Sequence, residues 1–478
     1  MAGIVSYGAY VPIYRLSQET LSQVWGGGGK GEKAVANADE DSLTMGVEAA
    51  RDCLKGQEKG SVDRLYFAST TCPYGEKQSA SIMAAALDLR EDIVTADLTN
   101  SLRSGTIALE MALDAVKAGS ARKVLVIASD CRIPPPNSAL EPLFGDGAAA
   151  FLIGEDGIAV KIEGSYYLTS EFVGVRRMQY DKITQAWEDR FTREEGYIPH
   201  FQKATSALLK VHNLSSKDFA KAAFYAPDAR LHRDMAKRLG LDAKTQVQDP
   251  LFDKVGNTGA AFALMILAGA LEEARPGDRI LLANYGDGAD AHILRATEEM
   301  EKIKDRKAIK QNLQSKLMLD NYGKYIKFRD LMEFEHTPDI RPRSSLPEIW
   351  RNRRWIYRFH GHKCKKCGKV QFPMQKFCMY CRAPKEFLEE IPLSDKKGTL
   401  VTFSVDERAP VVDLPNVLAT VSLEGGGRFF SQMTDRDVNN IKLGMLMEIT
   451  FRRIYDCFDM RNYFWKCRPA REYQGGGK

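Results

Sequence analysis

The sequence predicts an α/β fold built from two similar halves, followed by a metal-binding ribbon and a small β-barrel. Short apolar strands alternate with amphipathic helices over residues 1–295, the pattern of a sheet covered by helices. Each half closes with a helix, a strand and the same tripeptide, Gly145-Asp146-Gly147 and then Gly286-Asp287-Gly288. Four cysteines then cluster within residues 364–381. These observations indicate an internal duplication with a separate C-terminal part.

Composition is that of a globular protein with several domains. The chain has 478 residues, of which 44% are hydrophobic and 27% charged, and its net charge is +5. A chain of this length is expected to form two or three domains. No apolar run reaches the roughly 20 residues of a membrane span, and residues 1–10 lack a basic segment followed by an apolar one. We therefore expect a cytoplasmic protein without a membrane span.

The predicted elements of the two halves follow the apolar pattern. In the first half we expect strands over residues 3–11, 64–68, 124–128 and 147–153, and helices over 43–54, 79–87 and about 104–117. In the second half we expect helices over residues 201–211, 232–239 and 260–273, and strands ending near 225 and covering 279–283. The stretch 297–333 is charged with little apolar face, which favours a helical linker or an arm on a neighbour.

The rest of the chain predicts a basic helix over 348–358 and then a ribbon. Short strands over residues 399–405, 417–423, 428–433 and 446–452, separated by Gly and Asp turns, predict a small barrel. The predicted domains are residues 1–158 and 159–296 for the two halves, 297–344 for the linker, 345–395 for the basic helix and ribbon, and 396–478 for the barrel.

The cysteine cluster predicts a zinc site. Cys364, Cys367, Cys378 and Cys381 form two C-x2-C pairs separated by ten residues. Each pair makes a thiolate knuckle, and four thiolates close a tetrahedral shell with no position for a substrate, so the zinc is structural. Iron is the alternative metal, and a nearby histidine, His360 or His362, could replace one cysteine. The remaining five cysteines are scattered, which favours reduced thiols over disulfides.

Basic and aromatic residues alternate just before and within the cysteine cluster. Residues 341–369 mix Arg and Lys with Trp350, Trp355, Tyr357 and Phe359. Read alone, a ribbon and barrel with such a segment suggests nucleic acid. The small net charge does not support that interpretation. An acidic protein face or the phosphates of a cofactor fit these charges better.

One turn in the first half could present a reactive group. Residues 97–109 join the end of a buried strand to an apolar-periodic helix through small polar residues. The first amides of that helix would point toward whatever the turn displays, which suits a nucleophile or an anion. The turn contains no thiol.

Residues 1–295 resemble the hydroxymethylglutaryl-CoA (HMG-CoA) synthase family, in particular its archaeal branch. The resemblance rests on residues 3–12, 39–50, 73–74, 105–106, 145–147, 189–191, 227, 256–257 and 285–286. It implies a duplicated thiolase-like fold with α-β-α-β-α layers, a CoA thioester as substrate and, by analogy, a homodimer or larger oligomer. Residues 345–470 resemble a rubredoxin-like zinc ribbon joined to an OB-fold, a pair of domains that commonly accompanies thiolase-like proteins. A partner thiolase is therefore a further expectation.

The resemblance also places the family's catalytic cysteine, histidine and glutamate on this sequence. The cysteine position, three residues before Gly105, is Leu102. The histidine position is Tyr225 and the glutamate position is Thr70. All three are replaced, and acylation needs an activated nucleophile, so the family's acyl transfer cannot proceed through this turn. Asn257, which in relatives helps to hold the thioester carbonyl, is retained.

Two interpretations of the altered site compete. In the first, the chain catalyses aldol or retro-aldol chemistry on a β-hydroxyacyl-CoA, or retro-Claisen cleavage of a β-oxoacyl-CoA, without an acyl-enzyme. Tyr225 is then the acid/base, Asn257 the thioester-oxygen donor and Tyr285 a second phenol. This resembles cysteine-free thiolase-like proteins of steroid side-chain breakdown. In the second, the chain is a synthase-like acyltransferase or a noncatalytic scaffold for a partner thiolase.

Other side chains are weaker candidates for chemistry. Cys72 could be a relocated nucleophile, but a plain buried thiol is the preferred interpretation. Ser101 and Ser104 lie in the turn and would need a base at hydrogen-bond distance. The histidines His232 and His292 are distant candidates for that base. Asp287 and Asp290 could orient Tyr285, but a turn-forming role is preferred.

Overall fold

The computed structural model describes residues 2–332, 344–457 and 460–471. Its chain divides into two compact units. The first comprises residues 1–36, 41–84 and 89–313, and the second comprises 37–40, 85–88 and 314–478. The predicted sequence boundaries at 158, 296, 344 and 395 stay predictions, as does the placement of residues 333–343, which lie outside the described residues. None of the described helices is long and apolar enough to cross a membrane.

The first unit is an α/β structure. Its strands are β1 (Gly3–Tyr10), β2 (Tyr14–Ser17), β3 (Glu32–Val35), β4 (Val62–Ala68), β5 (Val94–Leu98), β6 (Lys123–Asp130), β7 (Gly147–Gly154), β8 (Val160–Thr169), β9 (Lys221–Phe224), β10 (Arg279–Tyr285) and β11 (Gly288–Ala296). Its helices are α1 (Gln18–Trp25), α2 (Ser42–Cys53), α3 (Ser79–Ala86), α4 (Ser104–Lys117), α5 (Asp189–Phe191), α6 (Ile198–Val211), α7 (Ala229–Arg238), α8 (Phe262–Glu273) and α9 (Lys310–Gln314). A π-helical turn, Thr192–Tyr197, leads from α5 into α6.

Strand order confirms the duplication predicted from the repeated tripeptide. The nine-stranded sheet has the order β5-β4-β6-β7-β1-β8-β11-β10-β9. The run β4-β6-β7-β1 has its counterpart in β9-β10-β11-β8, since in each run a parallel pair is followed by two antiparallel neighbours. The two Gly-Asp-Gly segments precede β7 and β11, at corresponding places. The fold is therefore thiolase-like in its layout of two related halves.

Two helices pack closely in the core beside this sheet. In α8, all residues from Phe262 to Leu271 are buried, and each large apolar side chain so buried contributes about 1.5–3 kcal/mol to folding. Gly105 in α4 meets the turn before α8: a Cβ on Gly105 would lie 2.8 Å from the carbonyl oxygen of Ala260. Only glycine allows this approach, which fixes where α4 begins relative to α8.

The segment 297–332, for which the sequence favoured a helical linker or an arm, is a series of short elements. It contains a 3-10 helix over Glu298–Ile303, then α9, strand β12 (Leu317–Met318) and helix α10 (Tyr322–Arg329). Met300, Ile303 and Ile309 are buried, while Asp52 and Glu272 accept backbone N–H groups of residues 307–310. Because these apolar residues are widely spaced among charged ones, the sequence did not predict that they are buried.

The second unit contains the ribbon and the barrel. Besides β12 and α10, its elements are α11 (Leu346–Ile356), β13 (His360–Cys364), β14 (Val370–Gln371), β15 (Leu388–Pro392), β16 (Gly398–Asp406), β17 (Asn416–Leu423), β18 (Arg428–Gln432), β19 (Leu446–Cys457) and β20 (Met460–Pro469). The ribbon has the strand order β14-β13-β15, and the barrel β18-β17-β16-β19-β20. The Thr434 N–H donates to the Cys467 carbonyl at 2.9 Å and so joins the two ends of the barrel sheet.

A buried charge cluster holds residues 37–40 within this unit. Arg452, fully buried, pairs with Glu40 at 2.5 Å and with Asp435 at 2.6 Å. Lys466 pairs with Asp39 at 2.9 Å. Burial alone would raise the pKa of Asp39, but Lys466 and Arg452 overcome that effect and lower it to about 2. Paired buried charges of this kind are costly to break from one side.

Candidate active site

Leu102 occupies the turn that leads from β5 into α4. Its half-buried side chain packs on the hydrophobic core of the first unit. The loop between β10 and β11 covers it closely, because a Cβ on Gly286 would lie 3.0 Å from the Leu102 Cβ and 3.1 Å from its backbone nitrogen. The position at which the related family carries a thiol is therefore an apolar wall.

Arg103 fastens this turn to the same loop. Its Nε donates to the Gly286 carbonyl at 2.6 Å, Nη1 to Leu168 at 3.1 Å and Nη2 to Asp287 at 2.9 Å. Asp290 lies 3.8 Å from the guanidinium and accepts from the Thr106 hydroxyl at 2.9 Å. Asp287 thus contributes its backbone carbonyl to this contact, and Asp290 a buried carboxylate to the start of α4.

Tyr225 and Asn257 meet at the second predicted position. Tyr225 directly follows β9 and is buried, and Asn257 Nδ2 lies 3.4 Å from its phenolic oxygen. Arg132 Nη2 donates to Asn257 Oδ1 at 2.7 Å. A guanidinium only donates, so it identifies the amide oxygen, and Nδ2 must then be the donor to Tyr225. The sequence prediction that these two residues act together is consistent with this contact.

The hydroxyl of Tyr225 therefore acts as an acceptor toward Asn257. Among the described residues it has no acceptor for its own proton. Burial raises the pKa of Tyr225, although the Arg132 charge and the Asn257 hydrogen bond oppose the rise. The phenol is thus neutral at pH 7 and presents a buried O–H that can be donated.

Thr70, at the former glutamate position, is tied to a buried carboxylate. Its hydroxyl donates to Asp130 Oδ2 at 2.9 Å and its backbone N–H to Oδ1 at 2.7 Å. Asp130 also accepts from Ser69, from Thr71 and from the Ala260 N–H. Five donors saturate this carboxylate, so it serves as a structural anchor and not as a base.

Tyr285 ends β10 and lies beside Tyr225. The two rings stack with centroids 6.4 Å apart, and Tyr197 crosses both edge to face while its hydroxyl donates to the Tyr225 carbonyl at 2.9 Å. Burial raises the pKa of Tyr285, and the neighbouring Tyr225 and Asp287 raise it further. The structure thus brings Tyr225, Asn257 and Tyr285 together.

Three residues near this group were not predicted from the sequence. Arg132 follows β6 closely, and a polar residue just beyond the carboxyl end of a buried strand is a signal that could have identified it. Asp130 is the last residue of the same strand, and no sequence motif identified it. His200, in the first turn of α6, lies with its ring 6.4 Å from that of Tyr285. The position of His200 depends on the π-helical turn, which no sequence pattern predicted.

The surroundings of the weaker candidates do not activate them for catalysis. Burial, then Asp97 and Asp130, raise the pKa of Cys72 to about 12, so its thiol is not a ready nucleophile. Ser101 Oγ lies 3.4 Å from the Gly286 carbonyl, while Ser104 is buried and its hydroxyl has no partner among the described residues. His232 stacks on Phe224 at 4.1 Å, and burial lowers its pKa to about 4.

His292 lies apart from both serines of the turn. It contacts Asp290 of its own strand, β11, at 3.3 Å and Ser165 of the neighbouring strand, β8, at 3.0 Å. Neither His232 nor His292 has a recorded hydrogen bond to Ser101 or Ser104. The base that a serine nucleophile would need is therefore missing from the described contacts of this turn.

The four cysteines of the ribbon form a compact ligand set. Their sulfur atoms all lie within 4.8 Å of one another, with Cys364–Cys381 at 3.7 Å and Cys367–Cys378 at 3.6 Å. Tetrahedral zinc with Zn–S of about 2.3 Å requires S–S separations of roughly 3.8 Å. The residues therefore fit zinc, and all four positions of its shell are protein thiolates.

Both knuckles have the same backbone pattern. In the first, Gly368 N–H donates to the Cys364 carbonyl at 2.8 Å, and in the second Arg382 N–H donates to the Cys378 carbonyl at 2.9 Å. Gly368 and Arg382 share a left-handed backbone, with φ of 73° and 60°. The two nearby histidines are engaged elsewhere: His360 Nε2 contacts Asp88 at 2.9 Å, and His362 Nδ1 lies 3.3 Å from the Gln375 N–H.

Comparison with known proteins agrees with this architecture. Residues 96–170 and 209–295 match the models for 3-oxoacyl-[acyl-carrier-protein] synthase III and its C-terminal domain. Residues 356–386 match the ChsH2 rubredoxin-like zinc ribbon, and 390–452 the ChsH2 C-terminal OB-fold. The chain is thus a thiolase-fold protein of the condensing-enzyme type, joined to a zinc ribbon and an OB-fold.

Curated relatives define the family. The chain is 32% identical over 344 residues to the HMG-CoA synthase of Methanopyrus kandleri, covering 70% of this chain and 98% of the relative. It is 33% identical over 341 residues to that of Archaeoglobus fulgidus, covering 69% and 98%. This chain belongs to the HMG-CoA synthase family.

Solved structures support the same fold. PksG, an HMG-CoA synthase from Bacillus subtilis, superposes with a TM-score of 0.62 at 23% identity over 69% of this chain and 89% of that one. An HMG-CoA synthase complexed with CoA gives 0.62 at 19% identity over 72% and 94%.

Proposed function

We propose that this chain makes or breaks a carbon–carbon bond in a CoA thioester by aldol or retro-aldol chemistry, with retro-Claisen cleavage as the nearest variant, and without an acyl-enzyme. One observation carries the proposal: the buried Tyr225 hydroxyl is fixed by Asn257 as an acceptor and keeps its own proton available. Tyr225 occupies the position of the family's histidine, where proton transfer is needed.

The CoA thioester substrate is inferred from the family. The two relatives compared above are HMG-CoA synthases, and one HMG-CoA synthase of similar fold was crystallised with CoA. The conserved fold around an altered set of reactive groups supports the same substrate class with different chemistry. A homodimer and a partner thiolase remain predictions from analogy, as does the cytoplasmic location.

The cleavage direction can be written with this chain's residues. A base removes the proton of the β-hydroxyl, the Cα–Cβ bond breaks, and its electron pair passes to the thioester as an enolate. Asn257 steadies the thioester oxygen, and Tyr225 delivers its proton to Cα. The products are an aldehyde or ketone and a shortened acyl-CoA, so no further reactant is consumed. Preorganised donors at a developing enolate commonly supply several kcal/mol of barrier reduction.

We assign Tyr285 to the β-oxygen end of the substrate, as a hydrogen-bond donor. Its hydroxyl has no partner among the described residues, and its raised pKa keeps it protonated. Two neutral phenols side by side suit a reaction that needs a hydrogen-bond donor at the β-oxygen and a proton donor at Cα.

The alternative, family-type acyl transfer or a purely scaffolding role, has less support. Acyl transfer would require a nucleophile at Leu102, and Thr70 cannot replace the lost acid because both its donors are engaged by Asp130. A scaffold would have no need for a phenol whose hydroxyl is oriented by Asn257 beside a second phenol, Tyr285.

The test is incubation of the purified protein with panels of β-hydroxyacyl-CoA and β-oxoacyl-CoA, with products identified by mass spectrometry. From a β-hydroxyacyl-CoA we expect a shortened acyl-CoA plus an aldehyde or ketone. Retro-Claisen cleavage of a β-oxoacyl-CoA would instead consume water and give a shortened acyl-CoA plus a carboxylic acid. Tyr225→Phe should lower the rate about 10²- to 10⁴-fold. Tyr7→Phe is the matched control, because Tyr7 is another buried tyrosine whose hydroxyl has no partner among the described residues. Accumulation of acylated protein would support the acyltransferase, and no turnover by the wild type would support the scaffold.

A further inference from the structure

The proposed cleavage needs a base for the β-hydroxyl proton, and neither phenol of the site supplies one. Tyr225 and Tyr285 both have raised pKa values because they are buried. Asp130 is saturated by five donors, and Thr70 is bound to it. Leu102 is apolar. The proton acceptor must therefore be another side chain on the exposed side of this group.

His200 lies on that side. It is half-buried in the first turn of α6, whereas Tyr285 is only 9% exposed and Tyr225 3%. The rings of Tyr225, Tyr285 and His200 follow one another with successive centroid separations of 6.4 Å. The Phe172 ring packs on the imidazole at 6.0 Å. These three side chains thus form a row from the interior toward the surface.

The backbone fixes which nitrogen of His200 is basic. Nδ1 lies 2.6 Å from the Gly196 carbonyl oxygen, which can only accept, so Nδ1 carries a proton. In the neutral imidazole Nε2 then has the free lone pair, and among the described residues it has no partner. This tautomer is the one that a general base requires.

Gly196 also keeps the space beside Tyr285 open. A Cβ at this position would lie 2.7 Å from the Tyr285 hydroxyl oxygen and 2.6 Å from a carbon of the Phe172 ring. Gly196 belongs to the π-helical turn that precedes α6, an irregularity frequently found at functional sites. The π-helical turn therefore places Gly196, which has no side chain, against the Tyr285 hydroxyl. It also places His200, whose ring is held by the Gly196 carbonyl, one turn later.

We infer that His200 is the general base of the site, accepting the β-hydroxyl proton at Nε2 while the Tyr285 hydroxyl donates a hydrogen bond to the same oxygen. This inference rests on the proposed function. The proton leaves the β-oxygen for His200, the Cα–Cβ electron pair passes to the enolate, and Tyr225 protonates Cα. Transfer of the proton from His200 to solvent and from solvent to Tyr225 then restores both groups.

The experiment compares His200→Ala and His200→Gln with the wild type on the β-hydroxyacyl-CoA that the wild type cleaves. His212→Gln is the matched control, since His212 is the residue that caps the C-terminal end of the same helix, α6, about 18 Å from His200 along an axis that rises 1.5 Å per residue. We expect H200A to lower the cleavage rate 10²- to 10⁴-fold, added imidazole to restore part of it, and CoA-thioester affinity to change less than about threefold.

The pH–rate profile separates a base from a structural residue. The groups packed on the imidazole are the Tyr285 phenol, the Phe172 ring and the Gly196 carbonyl, none of them charged at neutral pH. The wild-type rate should fall on the acidic side as the base is protonated, and H200A should lack that fall. An H200A rate close to the wild type, or the same acidic fall in both proteins, would overturn the assignment. No cleavage by the wild type would instead reject the proposed function itself.

Discussion

Arg132 donates to Oδ1 of Asn257 at 2.7 Å, across 125 residues of sequence. This contact fixes the orientation of the carboxamide, so that Nδ2 faces the oxygen of Tyr225. The direction of this hydrogen bond therefore decides whether the Tyr225 hydroxyl can donate its proton to a substrate or already donates it to Asn257. Relatives of this chain could use the same asparagine beside a histidine, but a phenol depends on its orientation.

Asn257→Asp tests that dependence. A carboxylate would pair with Arg132 and accept the Tyr225 proton, because it has acceptors only. We expect the cleavage rate to fall at least 100-fold while the melting temperature stays within a few degrees of the wild type. The rate is followed by mass spectrometry of the released acyl-CoA. Asn137→Asp, at an exposed position, is the control, and an active Asn257→Asp would contradict the assigned direction.

Leu102→Cys restores the family's nucleophile alone and should not restore acylation. A thiol needs an activating base, and Tyr225 is a phenol with a raised pKa. The double variant Leu102→Cys/Tyr225→His should gain a covalent acyl group from acetyl-CoA, seen as a mass increase of the intact protein. Met111→Cys, 43% exposed on α4, reports nonspecific acylation. Rapid acylation of the single variant would show that another base already serves this position.

Gly196→Ala should displace the Tyr285 hydroxyl. The new Cβ would lie 2.7 Å from that oxygen and 2.6 Å from the Phe172 ring, and such overpacking costs about 1–3 kcal/mol. We expect at least a tenfold loss of cleavage rate with a lower melting temperature. Gly60→Ala is the control because its nearest neighbour is a flexible glutamate tip at 3.8 Å. A wild-type rate in Gly196→Ala would mean that Tyr285 can move without consequence.

Asp39 should make the second unit sensitive to acid. Its pKa is about 2 because Lys466 and Arg452 outweigh the effect of burial. A carboxyl whose pKa is lowered on folding stabilises the fold above its unfolded pKa of about 3.9 and loses that contribution as pH falls toward 2. The shift corresponds to about 2 kcal/mol at pH 7.

Urea unfolding of Asp39→Asn at pH 7, followed by a signal from the second unit, measures this contribution. The variant should lose about 2 kcal/mol and show a weaker dependence of stability on pH between about 4 and 2 than the wild type. Asp320→Asn, an exposed aspartate of the same unit, should have little effect. Equal acid sensitivity of Asp39→Asn and the wild type would place the responsible carboxyl elsewhere.

Zinc should depend on the intact cysteine cluster. Cys364→Ser should reduce bound zinc from about one per chain to near zero, measured by mass spectrometry of the metal, because three thiolates hold structural zinc poorly. The ribbon should then unfold at lower temperature. Cys53→Ser removes a buried thiol outside the cluster and should leave zinc unchanged. Retention of zinc by Cys364→Ser would remove that residue from the ligand set.

The sequence predicted much of this structure for identifiable reasons. The alternation of short apolar strands with amphipathic helices predicted the sheet, and the repeated Gly-Asp-Gly tripeptide predicted the duplication. The spacing of Cys364, Cys367, Cys378 and Cys381 predicted their convergence, because each pair is a local knuckle. Leu102 and Tyr225 were located by motifs that lie within a few residues of them. These patterns are local, and local patterns can be recognised in a single sequence.

The rest depended on contacts between distant segments. Nothing local relates Arg132 to Asn257 or Thr70 to Asp130, which are 125 and 60 residues apart. His200 reaches the site because a π-helical turn changes the register of α6, and that turn has no distinguishing composition. The buried anchors of the segment 297–332 were not predicted for a similar reason, since they are too widely spaced to form a helical stripe.

The five hydrogen bonds around Asp130 also constrain the history of this protein. A glutamate reintroduced at residue 70 would place a second carboxylate beside Asp130 and would remove the Thr70 hydroxyl, one of the five donors to that carboxylate. Regaining the family's acyl transfer thus requires changes at three separated positions, one of which first weakens the fold. Selection acting on single substitutions would therefore meet a stability cost at residue 70.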